Sequence, residues 1–199
     1  MAFVLVISLV AGVIPQQSTF AAEAEKIDAK SALAIDAETG KIFLNQDADQ
    51  VLPIASMTKI LTLLIVREQI AAKKLSFDDK ITVTKEVSDL SQDKGLSNVP
   101  LTAGQQYTVK ELYDSAWIYS SNAAAHLLAA KVAGSQTKFV DLMKKRLKKL
   151  GITDAKIVNV SGLNNSDLPE SLRAKNTAAN AENEMSAKDL ALVAQTLLK

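Results

Sequence analysis

The chain has 199 residues, 48% of them hydrophobic and 23% charged, the balance of a folded domain with one substantial core, or of one domain and part of another. A formal net charge of +1 gives no electrostatic case for nucleic acid, whose binding rests on neutralising several phosphates. The absence of cysteine excludes disulfides, thiolate nucleophiles and Cys-ligated metals, and a single histidine, His126, leaves no His-based zinc site.

Ala2 to Ile14 is an uncharged apolar run, short for a bilayer span and right for a signal-peptide core. Thr19-Phe20-Ala21-Ala22 then offers a small-residue cleavage site before Glu23, so residues 1–22 are predicted to be a signal peptide and 23–199 the mature part. No Lys or Arg precedes the run. Either the start lies upstream or the signal is atypical, and the other reading is a buried N-terminal strand or helix.

Ser31 to Asp36 alternates as a strand, Glu38-Thr39-Gly40 reads as a turn, and Lys41 to Leu44 as the hairpin partner. From Ser56 a helix is expected to run towards Ala72, apolar on most sides and therefore buried in the middle of the domain. Residues 75–103 read as less regular, with a short strand over Ile81 to Thr84 and polar turns around Ser91 to Lys94. Thr108 with Glu111 has capping-box spacing and starts a helix carrying Leu112, Ala116 and Trp117; its phase assigns Trp117 to the core rather than to a substrate platform. A helix over Ala123 to Ala133 ends at Gly134, and a lysine-rich helix follows, whose cluster from Lys144 to Lys149 reads as its solvated face. Lys156 to Val160 reads as a strand or extended segment, Asn164 to Glu184 as a polar loop, and Ser186 with Asp189 as the cap of a last helix ending at Lys199.

Ser56-Met57-Thr58-Lys59 places a hydroxyl and an amine three positions apart, on one helical face. A helix N-terminus adds positive potential and free N–H groups, which suits an oxyanion forming on an acyl group attached to Ser56. Serine needs a base to take its proton, and lysine serves once burial lowers its pKa towards neutrality. Alone, Ser-x-x-Lys is equally an N-cap serine and a surface lysine. Ser120-Ser121-Asn122 lies well downstream of Ser56, between two helices. The Ser120 hydroxyl can relay a proton, and the Asn122 amide can hold both Lys59 and a substrate carbonyl; the plain alternative is a polar helix junction. His126 is read as an ordinary half-buried helix histidine rather than part of a Ser-His-Asp triad.

Ser-x-x-Lys with a Ser-x-Asn-type element and Lys-Thr-Gly is the signature of penicillin-binding proteins and class A β-lactamases. Beyond these motifs, Ala32 to Leu64, Gly104 to Ala130 with Tyr107-Thr108-Val109, Asn159 to Leu163 and Ser186 to Asp189 resemble the low-molecular-mass D-Ala-D-Ala carboxypeptidases of the S11 peptidase family. The resemblance covers nearly all of residues 30–199. It implies an α/β (α+β) fold of the β-lactamase/DD-peptidase type: an antiparallel sheet flanked by helices, with a mostly helical subdomain. By the resemblance, Ser56 is the acylated nucleophile, Lys59 its base, Ser120 a proton-transfer group and Asn122 a substrate-binding group. The substrate is then the peptidoglycan stem peptide, cut between its two terminal D-alanines outside the cytoplasmic membrane, with β-lactams as inhibitors of the same serine. No metal or organic cofactor is implied.

Two departures stand out. Ala123 follows Asn122 where many relatives carry an acidic residue, and no Lys-Thr-Gly or Lys-Ser-Gly occurs anywhere. In the family that strand faces the nucleophile and binds the substrate carboxylate, well downstream of the serine–asparagine element. Only the stretch from Ala123 to Lys199 follows that element here, so the catalytic domain is expected to be partial, cut before the strand and before any C-terminal membrane anchor. A chain complete as it stands is expected to have little or no carboxypeptidase activity. Competing readings are a class A β-lactamase, for which Glu170, Glu182 and Glu184 lack the Glu-x-x-Leu-Asn context, a non-catalytic cell-wall module, and an endopeptidase sharing the same residues.

Overall fold

The structure, a computed structural model, describes residues 26–199; the signal peptide expected over 1–22 lies outside the described residues. The first hairpin forms as the alternation predicts, β1 (Ala32–Ile35) pairing antiparallel with β2 (Ile42–Gln46). Its turn closes on Asp36, whose carboxylate accepts from the Thr39 hydroxyl and the Thr39 N–H, both at 2.7 Å. These bonds hold the Asp36 carboxyl below its ordinary pKa.

Among the described residues the strands form three separate two-stranded antiparallel ribbons. β3 (Val51–Pro53) pairs with β6 (Glu184–Ser186), and β4 (Lys80–Thr82) with β5 (Gln106–Thr108). The first of these pairings has a consequence for the site, because it ties the segment entering Ser56 to the segment that leads into the last helix.

The helix after Ser56, α1 (Thr58–Ala71), has no polar stripe over its first half and is buried on nearly every side. Leu63 and Val66 join one core cluster with α2 (Lys85–Ser91), α3 (Val109–Ile118) and α4 (Asn122–Ala133). Leu61, Leu64 and Ile65 join a second with α5 (Gln136–Lys149) and α6 (Ala187–Leu198). Each such aliphatic side chain contributes about 2 kcal/mol on burial, and α1 collects contributions from both sides. The caps follow the sequence: Thr108 and Glu111 form the capping box of α3, and Ser186 caps α6 by accepting from the Asp189 N–H.

Four expectations change. Residues 85–91 form α2, capped by Thr84, a helix too short to show a clear period. Lys156 to Val160, expected as a strand or extended segment, makes one bridge, Lys156 with Glu184, rather than a strand, because side-chain amides take up the backbone groups beyond it. The polar loop over 164–184 carries two 3₁₀ turns and the start of β6, and several of its residues are buried, among them Asn165, Leu168 and Asn183. Trp117 is 51% exposed at the end of α3, beside the exposed Ile118 and Tyr119, and is not core. Its neighbours Leu112, Tyr113 and Ala116 face inward, so the phase points Trp117 out.

Candidate active site

Ser56 sits in a 3₁₀ turn, Ala55–Met57, that feeds directly into α1. Ala55 holds φ +44°, a left-handed conformation that non-glycine residues enter at some cost in strain. One helical turn on, Lys59 Nζ lies 3.0 Å from Ser56 Oγ. The same amine donates to the Ser161 carbonyl at 2.9 Å, and the residue as a whole is 3% exposed. Burial lowers its pKa from 10.5 to about 7. A charged ammonium in this position has lost most of its hydration, and no carboxylate forms an ion pair with it among the described residues.

Two things hold the 158–163 segment against α1. The first is an amide network. Asn183 Oδ1 accepts from the Val158 and Asn159 N–H groups, and its Nδ2 donates to the Asn159 carbonyl and to Thr58 Oγ1. Asn159 Oδ1 in turn accepts from the Ser161 and Gly162 N–H groups, while its Nδ2 donates to Asn165 Oδ1 and the Leu163 carbonyl. Thr62, in the second turn of α1, adds a bond to the Val160 carbonyl at 2.7 Å. The second is close backbone approach at Gly162, where φ is +84° and a Cβ would overlap the Ala55 carbonyl. Only glycine fits there.

Ser120 and Asn122 lie at the junction between α3 and α4, as the sequence places them. Ser120 is partly buried with φ +56°, and Ser121 caps α4 by accepting from the Ala124 N–H. Asn122 is 1% exposed and anchored through both its backbone N–H and Nδ2, which donate to the Ser97 carbonyl at 3.1 and 2.9 Å. The Ala123 N–H donates to Asn98 Oδ1, so the segment between α2 and β5 fixes the start of α4. Neither Ser120 nor Asn122 bonds to Ser56 or Lys59, and Asn122 Oδ1 is buried with no protein partner. His126, expected to be half-buried, is fully enclosed and bonded to Gln136 of α5.

Three residues of this arrangement went unseen in the sequence. Ser161, whose carbonyl receives Lys59, and Asn159 sit inside a stretch whose resemblance was noted without a role. Asn183 stands in a polar loop where nothing local marks it; its signal is tertiary, the need of a strandless segment for hydrogen-bond partners.

A serine and a buried lysine at the start of a mostly buried helix, with a serine–asparagine turn heading the helix packed beside it, match the arrangement expected of the penicillin-binding DD-peptidase class. A penicillin-binding protein 3 from Streptococcus pneumoniae, described as a peptidoglycan synthesis regulatory factor, superposes with a TM-score of 0.83 and 38% identity, covering 87% of this chain and 48% of that one. The family profile for D-alanyl-D-alanine carboxypeptidase, peptidase S11, matches residues 18–199, and the chain belongs to that family. Among relatives, DacF of Bacillus subtilis is 32% identical over 172 residues, 86% of this chain and 39% of its own length. DacC of Escherichia coli is 36% identical over 143 residues, 71% of this chain and 36% of its own. The chain thus spans under half the length of these relatives. Penicillin-binding protein D2 of Listeria monocytogenes, solved with cefotaxime bound, is also similar, with a TM-score of 0.68 and 27% identity over 85% of this chain and 62% of that one.

Proposed function

We propose that this chain supplies the nucleophile and base of a serine D-Ala-D-Ala carboxypeptidase acting on peptidoglycan stem peptides. The observation that carries the reading is a buried lysine amine 3.0 Å from Ser56 Oγ, brought by burial to a pKa of about 7. Such an amine is free base in useful amount near neutrality and close enough to take the hydroxyl proton. As the Ser56 Oγ–carbon bond forms, that proton passes to Lys59 Nζ. The carbon–nitrogen bond to the terminal D-alanine then breaks, and the departing amine takes a proton relayed from Lys59 through the Ser120 hydroxyl. Water hydrolyses the ester on Ser56 and restores the enzyme. Asn122 holds the substrate's peptide carbonyl.

A β-lactam, a strained amide, acylates the same hydroxyl. The reaction needs no metal or organic cofactor in this scheme. Its substrate lies outside the cytoplasmic membrane, consistent with the apolar N-terminal run; no helix among the described residues is long and apolar enough to cross a bilayer.

The test is labelling of the intact protein with a fluorescent penicillin, together with D-alanine release from a stem pentapeptide. Wild type is expected to label, and to release D-alanine where a Lys-Thr-Gly strand completes the site, and Ser56→Ala to do neither while remaining folded. Absence of labelling in the intact wild type, or persistence of labelling in Ser56→Ala, would end the reading.

A further inference from the structure

His126 lies one turn after Asn122 on α4, so the two side chains share a face. Ala129, the next residue on that face, packs in the second core cluster with Leu61 and Ile65 of α1 and with Val160. This face of α4 therefore looks towards the helix and the segment that enclose Lys59. The opposite face, with Ala123, Ala124, Leu127 and Leu128, meets Val87, Leu90, Leu112 and Tyr113 of α2 and α3 in the first cluster.

The imidazole is 0% exposed and its tautomer is fixed. Gln136 Nε2 donates to the His126 carbonyl at 3.0 Å, which turns Gln136 Oε1 towards His126 Nδ1, also at 3.0 Å. Nδ1 therefore carries the hydrogen, and Nε2 presents a lone pair. That Nε2 has no protein partner, and neither has Asn122 Oδ1 nor the Ser161 hydroxyl, all three fully buried. Buried acceptors without donors are unfavourable. All three belong to the α4 face and the 158–163 segment that flank the Lys59 amine, whose hydrogens are directed at Ser56 Oγ and the Ser161 carbonyl with one left over.

We propose that His126 is a positioning residue for Lys59, its Nε2 accepting from one internal water that Lys59 holds, so that the neutral imidazole stabilises the ammonium formed when Ser56 gives up its proton. The inference rests on the reading of Lys59 as base. Burial first, and the Lys59 charge with it, pushes the His126 pKa down to about 4 against the opposing bond to Gln136. The ring thus stays neutral wherever Lys59 titrates. Lys59 on α1 is the charged group whose field reaches it; α5 presents the uncharged Gln136, and Tyr113 stands on the far side of α4.

Two measurements on the intact protein test this. In the first, the rate of acylation by a fluorescent penicillin is followed against pH for wild type, His126→Phe and His126→Gln. His126→Phe, which removes the acceptor, is expected to lower the pH midpoint by about one unit and the plateau rate about tenfold, while His126→Gln, which keeps an acceptor, restores both towards wild type. A folded His126→Phe with an unmoved midpoint overturns the proposal and leaves His126 a packing residue. In the second, the His126 imidazole resonances, identified by their loss in His126→Gln, are titrated in wild type and in Lys59→Met. Loss of the Lys59 charge is expected to raise the His126 midpoint, and an unchanged midpoint overturns the proposal even if His126→Phe fails to fold. A wild type that does not label at all refutes the catalytic reading, and the second measurement then still decides whether the two groups communicate.

Discussion

Lys59 is depressed by burial rather than by a neighbouring cation, and that cause sets both its chemistry and its effect on stability. In the proposed role of base it must be deprotonated, so acylation of Ser56 is expected to rise with pH through a midpoint of about 7 and then level off, read as labelling rate between pH 5.5 and 9. For stability the sign follows from which state holds the proton. Below about 7 both folded and unfolded chains carry the ammonium, and the folded state bears the full penalty of burying it. Between about 7 and the ordinary value of 10.5 the unfolded chain alone keeps the proton, so stability rises with pH across that window. Lys59→Met is expected to abolish this rise and to stabilise the fold at pH 7 by on the order of 2 kcal/mol. Denaturant titrations at pH 7 and 9 measure both effects.

The elements that carry the site differ in how they were legible. The start of α1 was readable, since Ser56 and Lys59 sit at helical spacing before an apolar run, and so were α3 and α6, whose Thr108–Glu111 and Ser186–Asp189 pairs advertise their caps. The segment 158–163 was not, because its partners are amides rather than a strand, and the distant Asn183 leaves no periodic trace in sequence. Trp117 misled because an amphipathic helix with one buried face still has an outward phase. Asn183→Ala strips partners from the Val158 and Asn159 N–H groups and from Thr58, and is expected to destabilise by about 3 kcal/mol, measured by chemical denaturation. Gly162→Ala sets a Cβ against the Ala55 carbonyl at a positive φ. It is expected to lose at least about 2 kcal/mol and to slow penicillin acylation at least tenfold, since the Ser161 carbonyl must draw back from Lys59.

At the scale of the whole molecule, α1 belongs to both core clusters, so neither can melt while the other persists. Leu61→Ala, from the second cluster, and Leu63→Ala, from the first, are each expected to lower stability by about 3 kcal/mol and to leave a single cooperative transition. Coincident fluorescence and far-ultraviolet dichroism curves check this, and two separated transitions in either variant would contradict it. The general architecture was foreseeable from the antiparallel hairpin and the sequence of capped helices. The division into three short ribbons was not, since β3 and β6 meet from opposite ends of the domain through contacts no local pattern encodes. The frame that grips the Lys59 end of α1 is built from Asn159, Asn165, Asn183 and backbone carbonyls, groups that neither gain nor lose a proton at any pH the protein survives. A change of acidity therefore retunes the Lys59 amine without reshaping its mount, and the site responds to its surroundings through the occupancy of one proton rather than through a change of form.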